Sequence, residues 1–260
     1  MEPRSAHETQ QYPWRLFVVL LAGAILSAFA LIPYVSEVIR PILAAHPLRL
    51  PLPVIVLIQG TIYFGGAVSL GLLLGRKIGL GAPYLEAWLY GKTRPAGRGW
   101  VWVSCLTGLA LGVVTVAVVR SPLGAALAAL PVATEASMPL WKRFLACFYG
   151  GLGEEIIMRL FLMSLVAWVL GKVWKTASGL PSSGAFWVAN IVVAVAFGAG
   201  HLPLAAQLTP LTPLLVTTVI SVNALVGVGF GYLYWKRGLE SAMLAHFSVD
   251  IVLHVLGPMF

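Results

Sequence analysis

Charged side chains are scarce in this chain: Asp, Glu, Lys and Arg make up 10% of its 260 residues, against about 25% in soluble domains. Acidic residues are scarcer still, with 9 set against 17 basic ones. No polar segment is long enough to build a second, water-soluble domain. Only two cysteines occur, Cys105 and Cys147. Both lie in apolar stretches, so a structural disulfide is not expected and buried thiols are. A His-Glu-x-x-His zinc signature is missing, and neither Ser164 nor Ser248 stands in a recognisable nucleophile motif. The chain also has no internal repeat of the inverted kind that marks many transporters.

What is there is apolar: 59% of the residues are hydrophobic, with 27 Gly and 9 Trp. Close helix packing uses glycine and membrane interfaces collect tryptophan. Crossing about 30 Å of hydrocarbon takes about 20 helical residues. Runs of that order cover 14–35, 52–75, 100–119, 141–171, 184–200, 213–235 and 239–257. The stretch 121–133 is apolar but short and carries two prolines, which suits a re-entrant or interfacial piece. The expectation is an all-α, polytopic transmembrane bundle of about seven or eight spans, forming one integral-membrane domain over 1–260 with a polar tail at 1–13. The run 141–171 is either one tilted helix or two shorter ones meeting at Gly150-Gly151-Leu152-Gly153. Residues 83–91 read as an amphipathic piece lying at the interface.

The net charge of +8 does not point to nucleic acid, because the basic residues sit in short loops between spans and form no soluble basic face. Arg4, Arg15, Arg76, Lys77, Lys92, Arg94, Arg98, Lys172, Lys175, Lys236 and Arg237 fall on one side. Arg40, Arg49, Arg120, Lys142 and Arg143 fall on the other. The positive-inside rule then favours a cytoplasmic N-terminus, and anionic lipid headgroups are the simplest partner for the loops.

Against this background the ionisable residues inside spans stand out. A charge at the bilayer centre costs about 2.5–3.5 kcal/mol on insertion scales, yet Glu154, Glu155 and Arg159 fall within six positions. Glu155 and Arg159 are spaced i, i+4 and can pair. Glu154 is rotated about 100° away and stays available for chemistry. His201 follows Phe197-Gly-Ala-Gly, and His246 precedes Asp250 by one turn, with His254 one turn further on. Each has a bland reading: carboxylates favoured at a helix start, interfacial histidines at 201 and 254, a self-satisfied pair at 246 and 250. Brought together, they supply a general base for water and N–H donors for an oxyanion. Gly150, Gly151, Gly153, Gly198 and Gly200 would let backbone or substrate approach closely. The expectation is a site without cofactor or metal, although Glu, two His and Asp are also a possible divalent-metal set.

The three motifs, Glu154-Glu155-Ile-Ile-Met-Arg159, Phe197-Gly-Ala-Gly-His201 and His246-Phe-Ser-Val-Asp250, resemble those of the CAAX-endopeptidase and bacteriocin-processing family of glutamic-type intramembrane proteases, also called the Abi or CPBP family. The resemblance covers about 140–257. It implies a conical catalytic core of the C-terminal helices, with Glu154 activating water and His201 assisting. His246 with Asp250 would form the oxyanion side, while Glu155, Arg159 and Phe197 organise the site. The implied substrates are membrane-associated proteins or peptides cut near a lipidated or membrane-anchored C-terminus, through CAAX-like or sorting-signal processing. The compact chain suggests a bacterial cytoplasmic (inner) membrane protein. Two positions depart from the family pattern: Leu160 stands where Gly is common, and Asp250 where Asn is common. Other readings are a non-catalytic bacteriocin-immunity or scaffold protein, and a proton-coupled transporter built on the same intramembrane Glu, His and Asp.

Overall fold

The computed structural model describes residues 11–93, 99–122, 124, 127 and 137–259. Arg4, Arg94, Arg98 and most of the 121–133 stretch lie outside the described residues. Those described are helical apart from turns and one isolated bridge between Lys175 and Pro181. Helix α1 runs Trp14–Val38, α2 Arg40–Ala45, α3 Leu52–Ile78, α4 Pro83–Tyr90 and α5 Trp100–Arg120. Helix α6 occupies 140–170, α7 Ser183–Gly200, α8 Leu202–Leu208, α9 Pro213–Arg237 and α10 Leu239–Asp250, the last prolonged by a wider turn, Ile251–Leu256. The stretch 83–91, expected as an amphipathic piece, forms α4.

Local chemistry sets these boundaries. Prolines occupy the first turn of α2, α3, α4, α8 and α9, where their missing N–H costs nothing. Ser182 and Thr212 cap α7 and α9, accepting from Ala185 N and Leu215 N, each at 3.2 Å, so orphan donors of the first turn are satisfied. Between α9 and α10 the chain reverses through Gly238 at φ 102°, a conformation side chains resist. Leu239 N then donates to Gly81 O at 2.9 Å, tying the turn to the α3–α4 connection.

Six helices are long and apolar enough to cross a membrane: Trp14–Val38, Leu52–Ile78, Trp100–Arg120, Ser183–Leu208, Pro213–Arg237 and Leu239–Met259. With them α6 forms a polytopic helical bundle. Its outer surface is apolar, as Leu26, Ile62, Trp102 and Leu106 are all more than 60% exposed; this is the surface expected where hydrocarbon is the solvent. Contacts between helix ends sort them into two groups. Arg76 on α3 donates to Gln11 O, Arg15 on α1 donates to Leu89 O, and Lys77 and Lys172 both lie over the Trp168 ring. At the other end Lys142 on α6 pairs with Glu37 on α1 at 2.6 Å, and Arg120 on α5 donates to Gly257 O at 2.7 Å. The two groups match the two sides into which the basic loops divide.

Interhelical approach relies on small residues, as lipid-immersed bundles do. At Gly71 on α3 an added Cβ would lie 2.7 Å from both Cγ and backbone O of Leu160. Leu160 is fully buried, and the glycine on the facing helix supplies the space that it fills. A Gly71→Ala substitution is expected to cost about 1–3 kcal/mol by overpacking, read by denaturant titration in detergent. Gly66→Ala, whose Cβ meets nothing within 4 Å, is expected to leave stability unchanged.

Candidate active site

Helix α6 carries the first motif, and its winding explains how both glutamates reach one place. It begins as an α-helix, Leu140–Phe148, widens into π-type turns over Tyr149–Glu154 and Ile156–Met163, and returns to α geometry at Ser164–Leu170. The backbone stays helical throughout, with Glu155 at φ −67° and ψ −32°. The run 141–171 is therefore one continuous helical path, widened at its glycines, and not two helices meeting there. Wide turns hold more residues, so neighbours subtend a smaller angle than the 100° of an α-helix. Such turns recur at functional sites. The sequence-based placement of Glu154 a full 100° from Glu155 is corrected accordingly.

Both carboxylates converge on His246 from α10. Its ring is buried and stacks on Phe230 of α9, with centroids 4.4 Å apart and planes at 18°. Nδ1–H donates to Glu155 Oε1 at 2.8 Å. The other nitrogen, Nε2, stands 3.7 Å from Glu154 Oε2 and 3.7 Å from Asp250 Oδ1. These distances exceed a direct hydrogen bond, and the Glu154 side chain is 25% exposed. Glu154 thus faces an open position, while Glu155 is wholly enclosed.

Glu155 does two jobs. Besides holding His246, its Oε2 lies 3.4 Å from Arg159 Nε, an ionic contact without hydrogen-bond alignment. Arg159 is itself buried, donates from Nη2 to Gly227 O at 3.1 Å, and lies between the faces of Phe197 and Phe230 at 5.4 and 5.5 Å. Aromatic faces stabilise a guanidinium deprived of water. The expected Glu155–Arg159 pair is present, but it is one link in a chain from Gly227 through Arg159 and Glu155 to His246.

Glycine at 150 makes room for this arrangement. A Cβ there would collide with the Asp250 carboxylate and come within 3.0 Å of His246 Nε2. Gly151 similarly admits Phe247 and Met243 O of α10. Gly150→Ala is expected to displace Asp250 and shift His246 while the protein still folds, read by the His246 ring resonances in NMR beside a thermal melt.

The structure does not place every candidate in contact with the cluster. His201 closes α7, and its Nδ1–H donates to Phe197 O at 2.8 Å, leaving Nε2 as an acceptor in the neutral ring. Its ring packs edge-on against Phe197 at 4.9 Å, and Phe197 packs against His246 at 5.7 Å. One aromatic ring therefore separates the two histidines. His254 packs on Tyr34 at 5.7 Å and its carbonyl accepts from Arg143 at 3.2 Å. Ser164 shares a hydrogen bond with Tyr234 at 2.8 Å, and Ser248 donates to Leu244 O at 2.7 Å. Cys105 and Cys147 form no disulfide, and Cys147 instead donates to Arg143 O at 3.4 Å. Among the described residues no group of three or more His, Cys, Asp and Glu is arranged to hold a metal ion. Phe230 and Gly227 were not foreseeable, since an apolar residue or a carbonyl in a hydrophobic span has no sequence signature.

Residues 136–252 match the model of the Rce1-like family, described as type II CAAX prenyl endopeptidase. This part of the chain is similar to the Rce1-like family. All three motifs fall inside the match. No curated protein and no solved structure matches the chain. Six helices of membrane-crossing length make this a multi-pass integral membrane protein, one segment of which is similar to the type II CAAX prenyl endopeptidases.

Proposed function

We propose that the chain is an intramembrane endopeptidase in which Glu154 activates water to cut a peptide bond near the membrane-anchored or lipidated C-terminal region of its substrate. The observation that supports this most directly is the placement of Glu154 and Asp250 at 3.7 Å from the same His246 Nε2, with Nδ1 held by Glu155. Water bound at Glu154 gives up a proton to the carboxylate as its oxygen adds to the amide carbonyl carbon. The oxyanion that forms accepts from Nε2–H of the His246 imidazolium. Glu154 then passes its proton to the amide nitrogen, the C–N bond breaks, and an acid and an amine leave. No metal or cofactor enters these steps.

The neighbours have supporting roles in this reading. Glu155, anchored by Arg159, fixes which nitrogen of His246 faces the carbonyl. An ionised Asp250 cannot donate to an oxyanion, so it orients Nε2. His201 assists from the far side of Phe197, its Nε2 available to a water or to the substrate. Residues 140–257 are the catalytic core of a single membrane domain. The basic helix ends around Arg76 and Arg237 face the cytoplasm, as the positive-inside rule favours, in a bacterial inner membrane.

The substrate is either a CAAX-like prenylated C-terminus or a C-terminal sorting signal. Purified protein in bilayer discs, given a prenylated CAAX peptide and an unprenylated apolar C-terminal peptide side by side, distinguishes the two by which is shortened. The Glu154→Gln variant tests the mechanism with whichever is cut. Full cleavage by that variant would sink the glutamate mechanism. Cleavage of neither peptide by the unmodified protein, with proton-coupled flux in liposomes, would point to transport.

A further inference from the structure

A cavity of about 920 Å³ lies at the helix ends that carry Arg76 and Arg237. None of Glu154, His201, His246 or Asp250 lines it, and His246 is eight residues up α10 from Gly238, about 12 Å away. Its mouth holds the cations Arg76, Lys92, Lys236 and Arg237 and one carboxylate, Glu86. Lys92 is paired with Glu86 at 2.7 Å. Arg76 reaches only a backbone carbonyl, Gln11 O, at 3.1 Å, and Lys236 rests on the Trp235 face at 3.5 Å. Arg237 is exposed and has no hydrogen bond or ion pair among the described residues. Tyr84 and Arg237 both line the cavity; burial raises the Tyr84 phenol above its ordinary value and Arg237 draws it back. Glu240, the carboxylate that also acts on Tyr84, is occupied in accepting from Leu85 N at 2.7 Å. Three cations thus face the cavity with no carboxylate paired to them among the described residues.

The cavity is also deep. Thr107 on α5 and Gly229 on α9 line it, about 10–12 Å from the Trp100 and Arg237 ends of those helices. Its floor runs between two apolar spans, past Val103 and Tyr232. A small anion would satisfy the mouth and leave this floor empty. We propose that the cavity binds a phosphate-bearing anionic membrane lipid, its headgroup on Arg76, Lys236 and Arg237 and an acyl chain between α5 and α9.

The test uses the full chain in bilayer discs and counts retained lipid by native mass spectrometry. Phosphatidylglycerol is compared with phosphatidylcholine, and inorganic phosphate is added as a competitor. Each cation near a membrane surface contributes roughly fivefold, so Lys236→Gln with Arg237→Gln is expected to weaken phosphatidylglycerol retention by about 30-fold. Lys172→Gln with Lys175→Gln removes equal charge from the same end of the bundle and is expected to change retention less than threefold. Thr107→Phe blocks the floor without altering charge and is expected to release the lipid too, which keeps the test valid should the double variant fail to fold. Equal loss in both double variants, or equal retention of the two lipids, overturns the proposal in favour of general surface attraction. Displacement by inorganic phosphate at matched concentration overturns it in favour of a bare anion site.

Discussion

Glu154→Gln is expected to abolish most peptide-bond cleavage, lowering turnover by about 10²–10⁴-fold, the range a positioned general base contributes. Gln has nearly the same shape as Glu and keeps a carbonyl oxygen for water, but it cannot take up the proton that water must lose. Stability is expected to stay within about 0.5 kcal/mol, as for substitutions away from packed or paired positions. The Glu154 side chain is 25% exposed, and among the described residues its polar partner is His246 Nε2 at 3.7 Å. The measurement is single-turnover cleavage beside a thermal melt of the same preparation. Unchanged turnover contradicts the role given to Glu154. Lost turnover with a lowered melting temperature instead assigns Glu154 to structure.

Arg159→Leu is expected to produce the largest loss of stability, about 3–5 kcal/mol, because removing one partner strands a buried charge. Glu155 is fully enclosed and its Oε2 has only Arg159 Nε, at 3.4 Å, for compensation. Gly227 O would lose its donor as well. Lysine is not expected to rescue the site, since a compact ammonium cannot lie flat between Phe197 and Phe230 while reaching both a carbonyl and a carboxylate. The double variant Arg159→Leu with Glu155→Gln is expected to recover part of the loss, because the stranded charge is gone. Unfolding by denaturant in detergent reads all three proteins. A loss below about 1 kcal/mol for Arg159→Leu would mean that His246, at 2.8 Å, holds Glu155 without help from Arg159.

Much of the architecture was legible before any coordinates. Runs of about 20 apolar residues have few alternatives to spanning helices, and six of the expected runs are helices of that kind. The seventh, 141–171, was ambiguous because three glycines in four positions, Gly150, Gly151 and Gly153, are compatible with both a break and a widened turn. Packing decided it: α10 presses its backbone on Gly151 and its Asp250 side chain on Gly150, so the chain stays helical and makes room by widening.

The sequence by itself determined that this is a membrane helix bundle and which ionisable residues are costly enough to need a reason, since hydropathy and the cost of a buried charge are properties of residues in order. Their order also carried the three motifs, all of which fall within the segment that matches the Rce1-like model. The i, i+4 spacing already paired Glu155 with Arg159 and left Glu154 over. Only the tertiary structure joined Glu155 to His246 as well and set His201 one phenyl ring from His246. Spacing along one helix predicts partners on that helix. It cannot register Phe230 or Gly227 O arriving from α9, nor a change of winding that turns two adjacent carboxylates toward one imidazole.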